Sequence, residues 1–458
     1  MSTSFHRERT TTEAAGRKHF PALLYLLSFF CFLPLALMAQ PKDNSPYSRL
    51  GLGEPVNHAL SAAGFGGLSA GYMDPLHLNV LNPASYAWLR AATFEAGMSL
   101  ERSVIKTDEQ RANVLSGNLT HLVLAFPMRN ALNDVLENKQ RKFFWSMNFG
   151  LLPNTTVGYD IQTGEHNAVS DSILNVFQGT GGTSKLVWGN AIRYKNFSAG
   201  VNLQYLFGQI ESTREVRLRD LGNAYVNRFI DNISIRSLQW TIGVQYKLEL
   251  DKKEEGQQNV RDARSLVFGL YGNPAARLST RTDVLRIGVN DQLLPIVRDT
   301  VFNESDVRQK GKLPAEFTLG VVYQIFNKWR IGAQYSYANW SRYENEAKPD
   351  KLFSTNDIAI GAEYSPDASS YNNYFRRIRY RAGFYFKEDP RLEDLRHYAL
   401  TLGFGLPVIR PRGQTSFINF ALELGRFQTD GQINEDFVKM SLGFTLNDGT
   451  WFYKRKYR

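Results

Sequence analysis

Residue types that carry out catalysis or bind metal ions are sparse in this sequence. Seven of its 458 residues are histidines and one, Cys31, is a cysteine. The histidines do not have the H-E-x-x-H spacing of a zinc protease. We therefore expect no catalytic residues, no metal site, no cofactor and no enzymatic activity.

One glycine-containing run has a partial likeness to a nucleotide-binding loop. In Gly64-x-Gly66-x-x-Ser69 two glycines have the required spacing. The run lacks the third glycine, a preceding strand and a following βαβ unit, all of which a dinucleotide site needs. We therefore do not interpret it as a nucleotide site.

The same run belongs to a longer glycine-rich segment, residues 61–86. Glycines permit close backbone approach, and Asp74-Pro75 and Asn82-Pro83 favour turns. A compact, irregular segment of this kind is suited to plug a β-barrel, where protein rather than lipid buries its backbone groups. A flexible leader that precedes the barrel is the alternative interpretation.

Ionisable residues in the polar phase of alternating segments form another candidate set. They are Glu95, Glu101, Arg330, Glu363, Arg381, Glu423 and Lys439. If the apolar phase faces lipid, these side chains face the lumen, because a basic residue at the lipid midplane would cost about 2–4 kcal/mol. They are interpreted either as a polar path that orients a ligand or as mutually paired charges that hold the plug.

The candidate residues lie on or before segments in which apolar and polar residues alternate, as in 145–151 and 197–207. About fourteen such strands are predicted, starting near residues 92, 117, 143, 184, 197, 233, 265, 314, 329, 355, 379, 397, 416 and 436. A soluble β-sandwich alternates in the same way with its apolar side inward. Aromatic residues at strand ends, such as Trp329 and Tyr337, favour a membrane barrel. We predict an all-β fold, a transmembrane antiparallel β-barrel of about fourteen strands with an N-terminal hatch in the lumen.

The connections alternate in length. Long links are predicted at 160–183, 211–232 and 288–313, whereas Lys195-Asn196 is a tight turn. Bacterial barrels have short periplasmic turns and longer external loops. We therefore expect both termini in the periplasm, although the long, charged link at 249–264 departs from the rule.

Pro153 interrupts the third predicted strand, next to Asn154. Proline removes a donor from the hydrogen-bond ladder, so a kink or bulge is expected there. In a transporter such a break would open a lateral exit. Alternatively, it marks where the strand meets its external loop.

The N-terminus has the features of an export signal. Basic residues precede an uncharged apolar run from Phe20 to Met38, and cleavage after Ala39 is expected. A retained membrane anchor is the alternative, since the run approaches the ~20 residues that span a bilayer. The predicted segments are a signal peptide (1–39), a hatch (40–91) and a β-barrel (92–458).

The net charge of +10 does not indicate a nucleic-acid partner. Residues 1–39 contain four basic and two acidic side chains, so their removal leaves +8. No dense Lys/Arg block with interleaved aromatics is present, so nucleic acid is not expected as a partner. Lipid of the bacterial outer membrane is the expected environment.

Several short motifs resemble a known family. They are Gly66-Gly67, Asp74-Pro75, Asn82-Pro83-Ala84, Leu151-Leu152-Pro153, Gly179-Thr180-Gly181-Gly182, Leu313-Pro314-Ala315 and Arg381-Ala382-Gly383-Phe384. Because these motifs follow one another in this order, the chain resembles the FadL/TodX-like outer-membrane transporters, and in particular their Bacteroidetes-type members. The resemblance implies a fourteen-stranded barrel with a hatch at Gly66, Gly67, Asp74, Asn82, Pro83 and Ala84. The chain ends Lys-Tyr-Arg rather than with the terminal phenylalanine common in such barrels.

Two functions remain open from the sequence. The first is passive uptake of hydrophobic small molecules such as fatty acids, which predicts an apolar lumen pocket and a gap at Pro153 and Asn154. The second is a non-transporting subunit of an outer-membrane protein assembly or secretion complex. It predicts a sealed lumen and long loops that contact other outer-membrane proteins.

Overall fold

A computed structural model describes residues 45–451, with gaps at 57–59, 108–109, 131–132, 135–140, 167–171, 219–224, 252–262, 291–295, 326–327, 411–413 and 431–432. The predicted signal peptide and the chain end after Trp451 lie outside the described residues, as does most of the charged link at 249–264. Within these ranges no helix is long and apolar enough to cross a membrane.

The described residues contain eighteen β-strands and five short helices. The strands are β1 (Glu54–Pro55), β2 (Ala92–Lys106), β3 (Arg111–Pro127), β4 (Phe143–His166), β5 (Ser172–Tyr194), β6 (Phe197–Leu218), β7 (Val226–Glu249), β8 (Arg264–Asn273), β9 (Ala276–Asn290), β10 (Ile296–Leu313), β11 (Glu316–Ile325), β12 (Trp329–Ala338), β13 (Glu344–Asn345), β14 (Thr355–Tyr364), β15 (Arg379–Glu388), β16 (Arg396–Arg410), β17 (Gln414–Gln428) and β18 (Asn434–Asp448). The helices are Pro46–Arg49, Leu60–Ala63, Pro83–Trp88, Trp340–Arg342 and Tyr374–Arg377.

Sixteen of these strands, all except β1 and β13, close into an antiparallel barrel of fourteen crossings, in which β18 pairs with β2. β7 pairs with both β8 and β9, so β8 and β9 together make one crossing of the barrel wall, with a break between them. β11 pairs with β8 and β10 pairs with β9, so β10 and β11 together make the next crossing, also with a break. The breaks fall at Pro274 and Pro314, where proline cannot donate to the ladder. The predicted fold class, with fourteen strands, is confirmed.

The barrel buries its polar phase and exposes its apolar phase. On β6, for example, Val201 and Leu203 are exposed, whereas Ser198 and Asn202 are fully buried. A soluble sandwich would bury the apolar side chains instead. The exposed apolar phase is the lipid-facing surface of a membrane barrel, and the soluble alternative is wrong.

The predicted long links at 160–183, 211–232 and 288–313 are mostly strand, which corrects the sequence analysis. β4 continues to His166, β6 to Leu218 and β9 to Asn290, and each pairs with the strand that follows. Beyond the lipid neither face of a strand needs to be apolar, so the period-two signal fades while the ladder continues. We call this end of the barrel the loop end and the opposite end the turn end.

Candidate functional site: the barrel lumen

Two segments, residues 45–56 and 62–91, lie inside the barrel. We call residues 45–56 the strap, which contacts the loop end, and residues 62–91 the hatch, which contacts the turn end. The hatch predicted from the sequence, residues 40–91, includes both segments. The hatch is the piece to which the predicted residues Gly66, Asp74 and Asn82 belong.

Asparagine side chains fix the fold of the hatch. Asn82 caps the helix Pro83–Trp88 by accepting from the Ala84 amide (3.1 Å), and it donates to the Ala70 carbonyl (2.8 Å). Pro83 at the first helical position suits its fixed φ. Asn79 donates to the carbonyls of Ser69 (2.6 Å) and Tyr72 (3.1 Å). These bonds give a segment without regular structure a defined shape.

Glycines let the hatch backbone touch the barrel wall. Gly66 has a positive φ of 70°, and a Cβ there would lie 2.4 Å from the Ile360 carbonyl oxygen. On the wall, a Cβ on Gly269 of β8 would lie 1.8 Å from the Ala70 carbonyl oxygen. Gly67 also has a positive φ of 75°, but no atom lies within 4 Å of its Cβ position. The hatch is therefore packed against the wall by its main chain.

Asp74 ties the hatch to two strands through buried ion pairs, and Glu363 extends the network to a third strand. The Asp74 carboxylate lies 3.0 Å from Arg330 of β12 and also pairs with Arg379 of β15. Glu363 of β14 pairs with Arg330 and, at 2.7 Å, with Arg381 of β15. Burial raises the pKa of Asp74, but Arg379 and Arg330 outweigh it and hold that pKa well below its usual range.

Glu95 of β2 provides a further contact with the hatch. It accepts hydrogen bonds from the Leu78 amide (3.0 Å) and the Thr445 hydroxyl (2.9 Å). Among the predicted lumen charges, Glu95, Glu363 and Arg381 therefore lie against or beside the hatch. Glu363 and Arg381 pair with each other, whereas Glu95 accepts hydrogen bonds from the hatch and from β18.

Glu423 and Lys439 lie elsewhere, in a central cavity of about 440 Å³ between the strap and the hatch. Lys439 pairs with Glu101 at 3.2 Å, and Glu423 accepts from the Tyr385 hydroxyl at 3.0 Å. Lys185 and Lys387 also line the cavity. Its lining mixes charged, polar and aromatic side chains, in contrast to the apolar pocket that hydrophobic uptake predicts.

The strap is anchored at the loop end. Ser45 donates to Glu435 (2.6 Å), and Tyr47 donates to the Ile433 carbonyl (2.6 Å). The Gly51 amide donates to Asp350 (2.8 Å) in the link between β12 and β14. Leu52 belongs to an apolar cluster that includes Leu352. No spacing in the sequence indicated this segment, because these loop-end partners are 299 to 390 residues away.

Pro153 and Asn154 lie where the strand pairing of the barrel wall changes. The ladder between β3 and β4 ends at Leu122 paired with Leu151, and the register of β4 with β5 shifts between Pro153 and Thr155. Past the shift the strap pairs with β4, Glu54 with Thr156. The bulge also reverses the phase of β4, so that even-numbered residues face the lumen before it and odd-numbered residues after it.

An apolar hollow of about 590 Å³ lies on the outer face at this position. It is lined by Leu122, Phe149, Leu151, Trp188 and Leu203, among others. Phe149 and Trp188 stack with ring centroids 6.5 Å apart. The hollow therefore adjoins the point at which β3 and β4 stop pairing.

One catalytic spacing does occur in the chain, contrary to the expectation that no G-x-S-x-G motif is present. Gly67-Leu68-Ser69-Ala70-Gly71 fits the G-x-S-x-G pattern of a hydrolase nucleophile. Ser69 does not occupy a strand-to-helix turn. Its hydroxyl lies 2.9 Å from the Tyr271 hydroxyl and 3.1 Å from the Gln334 amide oxygen, so it serves as a hatch contact. Among the described residues no cluster of three His, Cys, Asp or Glu could hold a metal ion.

Comparison with known structures supports the same fold. A Pseudomonas aeruginosa FadL homologue has a TM-score of 0.55 at 12% identity, covering 87% of this chain and 99% of its own. The Pseudomonas putida toluene transporter TodX has a TM-score of 0.52 at 15% identity, covering 85% and 98%. The Ralstonia pickettii toluene transporter TbuX has a TM-score of 0.50 at 13% identity, covering 85% and 98%.

At these identities the likeness concerns the barrel fold, and the resemblance to FadL/TodX-like proteins is confirmed at that level. No curated protein sequence matches the chain. A family model does match, over residues 23–458, which include the strap, the hatch and the whole barrel. The chain belongs to the BamG family.

Proposed function

We propose that this protein is a non-transporting barrel subunit of an outer-membrane protein assembly complex. The observation that carries the proposal is a lumen occupied at the turn end by the hatch and at the loop end by the strap. Main-chain contacts at Gly269 and the buried ion pairs of Asp74 hold the hatch in place. A hatch fixed in this way would have to break several buried contacts to let a solute pass.

The loop end supports the same proposal. β4 to β7, β9 and β10 extend the wall as one paired sheet past the lipid-facing band. Ordered strands at this end offer a rigid surface for other outer-membrane proteins. Membership of the BamG family is compatible with such a role. On this proposal the protein has no enzymatic activity.

The proposal is tested by depletion and by purification in mild detergent. Depletion should lower the amounts of other barrel proteins in the outer membrane, and the purified protein should retain other outer-membrane barrel proteins at fixed stoichiometry. Unchanged barrel levels, together with a stoichiometric fatty acid in the purified protein, would contradict it. A variant that shortens the β9–β10 hairpin should lose partners, whereas one altered in the Lys195-Asn196 turn should keep them.

Passive uptake of hydrophobic molecules is the second candidate, and one observation favours it. The β3–β4 ladder ends at Leu151 beside the apolar hollow, where a solute leaving the lumen could enter lipid. The related folds include toluene transporters. Uptake of labelled oleate or toluene into proteoliposomes should then depend on the protein and fall when Pro153 is replaced by alanine. Uptake equal to that of empty vesicles would exclude this function.

We also propose that the turn end faces the periplasm, with both termini there. Short turns such as Lys195-Asn196 support this orientation. A single cysteine at residue 195 should be protected from a membrane-impermeant maleimide in intact cells, and one at residue 305 in β10 should react. The opposite pattern would reverse the orientation.

A further inference from the structure

Two buried groups of opposite charge line the central cavity, and each has one polar atom without a hydrogen-bond partner among the described residues. Glu423 is 2% exposed and its Oε1 has no partner, while its Oε2 accepts from Tyr385. Arg391 is 4% exposed and its Nη1 has no partner, while its Nε and Nη2 donate to Asp389. Gln204 Oε1 and Asp357 Oδ1, which also line the cavity, lack a partner among the described residues too. Buried polar atoms are satisfied in the great majority of cases, so several such atoms in one cavity, two of them on buried groups of opposite charge, indicate a ligand.

An aromatic stack separates the two groups. The Tyr385 hydroxyl lies 3.1 Å from Nε2 of His397, and the His397 ring stacks on Phe427 at 4.1 Å. The Arg391 guanidinium lies 5.9 Å from the Phe427 ring. Glu423 therefore lies at one end of the stack and Arg391 at the other, with aromatic surface between them.

Neighbouring charges do not satisfy the free atoms. Lys439, the register partner of Glu423, pairs with Glu101 at 3.2 Å. A simple cation would satisfy only Glu423 and a simple anion only Arg391. A hydrocarbon would satisfy neither.

We propose that this cavity binds a zwitterionic molecule with an apolar middle, such as a short peptide with free termini. Its ammonium group donates to Glu423 Oε1, and its carboxylate accepts from Arg391 Nη1. Its apolar part packs on Phe427 and Phe437, which also line the cavity. The volume of about 440 Å³ falls within the roughly 300–1,000 Å³ of small-molecule sites. This inference does not depend on the proposed function.

The test uses the tripeptide Ala-Phe-Ala and the full mature chain in detergent. The peptide is added both to protein purified from membranes and during refolding, so that the cavity also forms in its presence. Native mass spectrometry and equilibrium dialysis should detect one bound peptide per chain. The same peptide acetylated and amidated at its ends should bind at least about tenfold more weakly, because charge-assisted hydrogen bonds at both ends are lost.

Variants locate the site. Glu423→Gln and Arg391→Gln should each weaken binding of the free peptide about tenfold or more. Glu393→Gln, on an exposed side chain in the same link as Arg391, should leave it unchanged. Gel mobility before and after boiling reports whether each variant forms the barrel. If Arg391→Gln does not fold, the binding measured with Glu423→Gln and with the blocked peptide still tests the proposal. Three outcomes would overturn the inference. They are absence of peptide binding in both preparations, equal binding of the free and the blocked peptide, and stoichiometric toluene bound in place of the peptide.

Discussion

Adding one methyl group to the wall should loosen the hatch. In Gly269→Ala the new Cβ would lie 1.8 Å from the Ala70 carbonyl oxygen. An ordinary van der Waals contact between a carbon and another heavy atom is roughly 3.5–4.0 Å, so the hatch backbone must move by about 1.5 Å or more. Overpacking of this kind costs about 1–3 kcal/mol.

The cost should appear as faster local opening of the hatch. The sequence contains a single cysteine, Cys31, in the predicted signal peptide, so an introduced Ser85→Cys would be a unique probe after its removal. Ser85 is buried in the hatch and 4% exposed. If labelling follows the equilibrium between closed and open hatch, about 1–3 kcal/mol raises the maleimide reaction rate by roughly 5- to 150-fold.

Gly117→Ala is the matched control. A Cβ on this glycine of β3 would lie 3.9 Å from its nearest neighbours, an ordinary contact. Its labelling rate should equal that of the parent. If Gly269→Ala labels no faster than Gly117→Ala, main-chain contact does not hold the hatch and the reasoning fails.

Three further predictions use the same probe or a related assay. Asp74→Asn removes a charge that compensates two buried arginines, so the closed hatch should lose about 3–5 kcal/mol of stability. The labelling rate should therefore rise steeply. Asp436→Asn, in an exposed ion pair, is the control and should not change the rate. Burial lowers the pKa of His77 to about 4, so the folded hatch holds a neutral imidazole; its stability is complete above pH about 6.5 and falls as the pH drops toward 4. Only the thiolate reacts with maleimide, so the labelling rate is divided by that of the same cysteine in the unfolded chain at each pH. This ratio should rise as the pH drops over that interval, and a flat ratio would contradict the assignment. Ser45→Ala leaves Glu435 without its strap partner and should cost about 1–3 kcal/mol, measured as faster proteolysis of the strap; an unchanged cleavage rate would show that this bond does not anchor it.

The lipid-facing half of the fold was predictable because lipid imposes a simple pattern. Every second residue of β6 between Phe197 and Tyr205 must be apolar, and the count of such segments gave fourteen crossings. Outside the lipid no such constraint exists. The strands that end at His166, Leu218 and Asn290 therefore extended further than the pattern indicated.

The lumen was predictable only in part. Glu363 is a charged residue in the polar phase of a strand, so its inward direction followed from the alternation. Its place in an ion-pair network with Asp74 did not, because β12 and β15 bring Arg330, Arg379 and Arg381 to a hatch residue about 250 to 300 residues earlier in the chain. The strap had no local signal, since residues such as Ser45 meet partners that only the closed barrel brings within reach.

The seam between β18 and β2 has a consequence for the order of assembly. β2 follows the hatch directly in the chain and also forms the closing pair of the ring. The strap and the hatch must therefore be enclosed as the wall closes, since the tightly fitted hatch would have no opening to enter afterwards. A chain that closed too early would surround Glu363 and Arg330 without Asp74 and leave an excess of buried positive charge. Correct insertion of this barrel thus depends on its first segment being delivered before its last strand pairs.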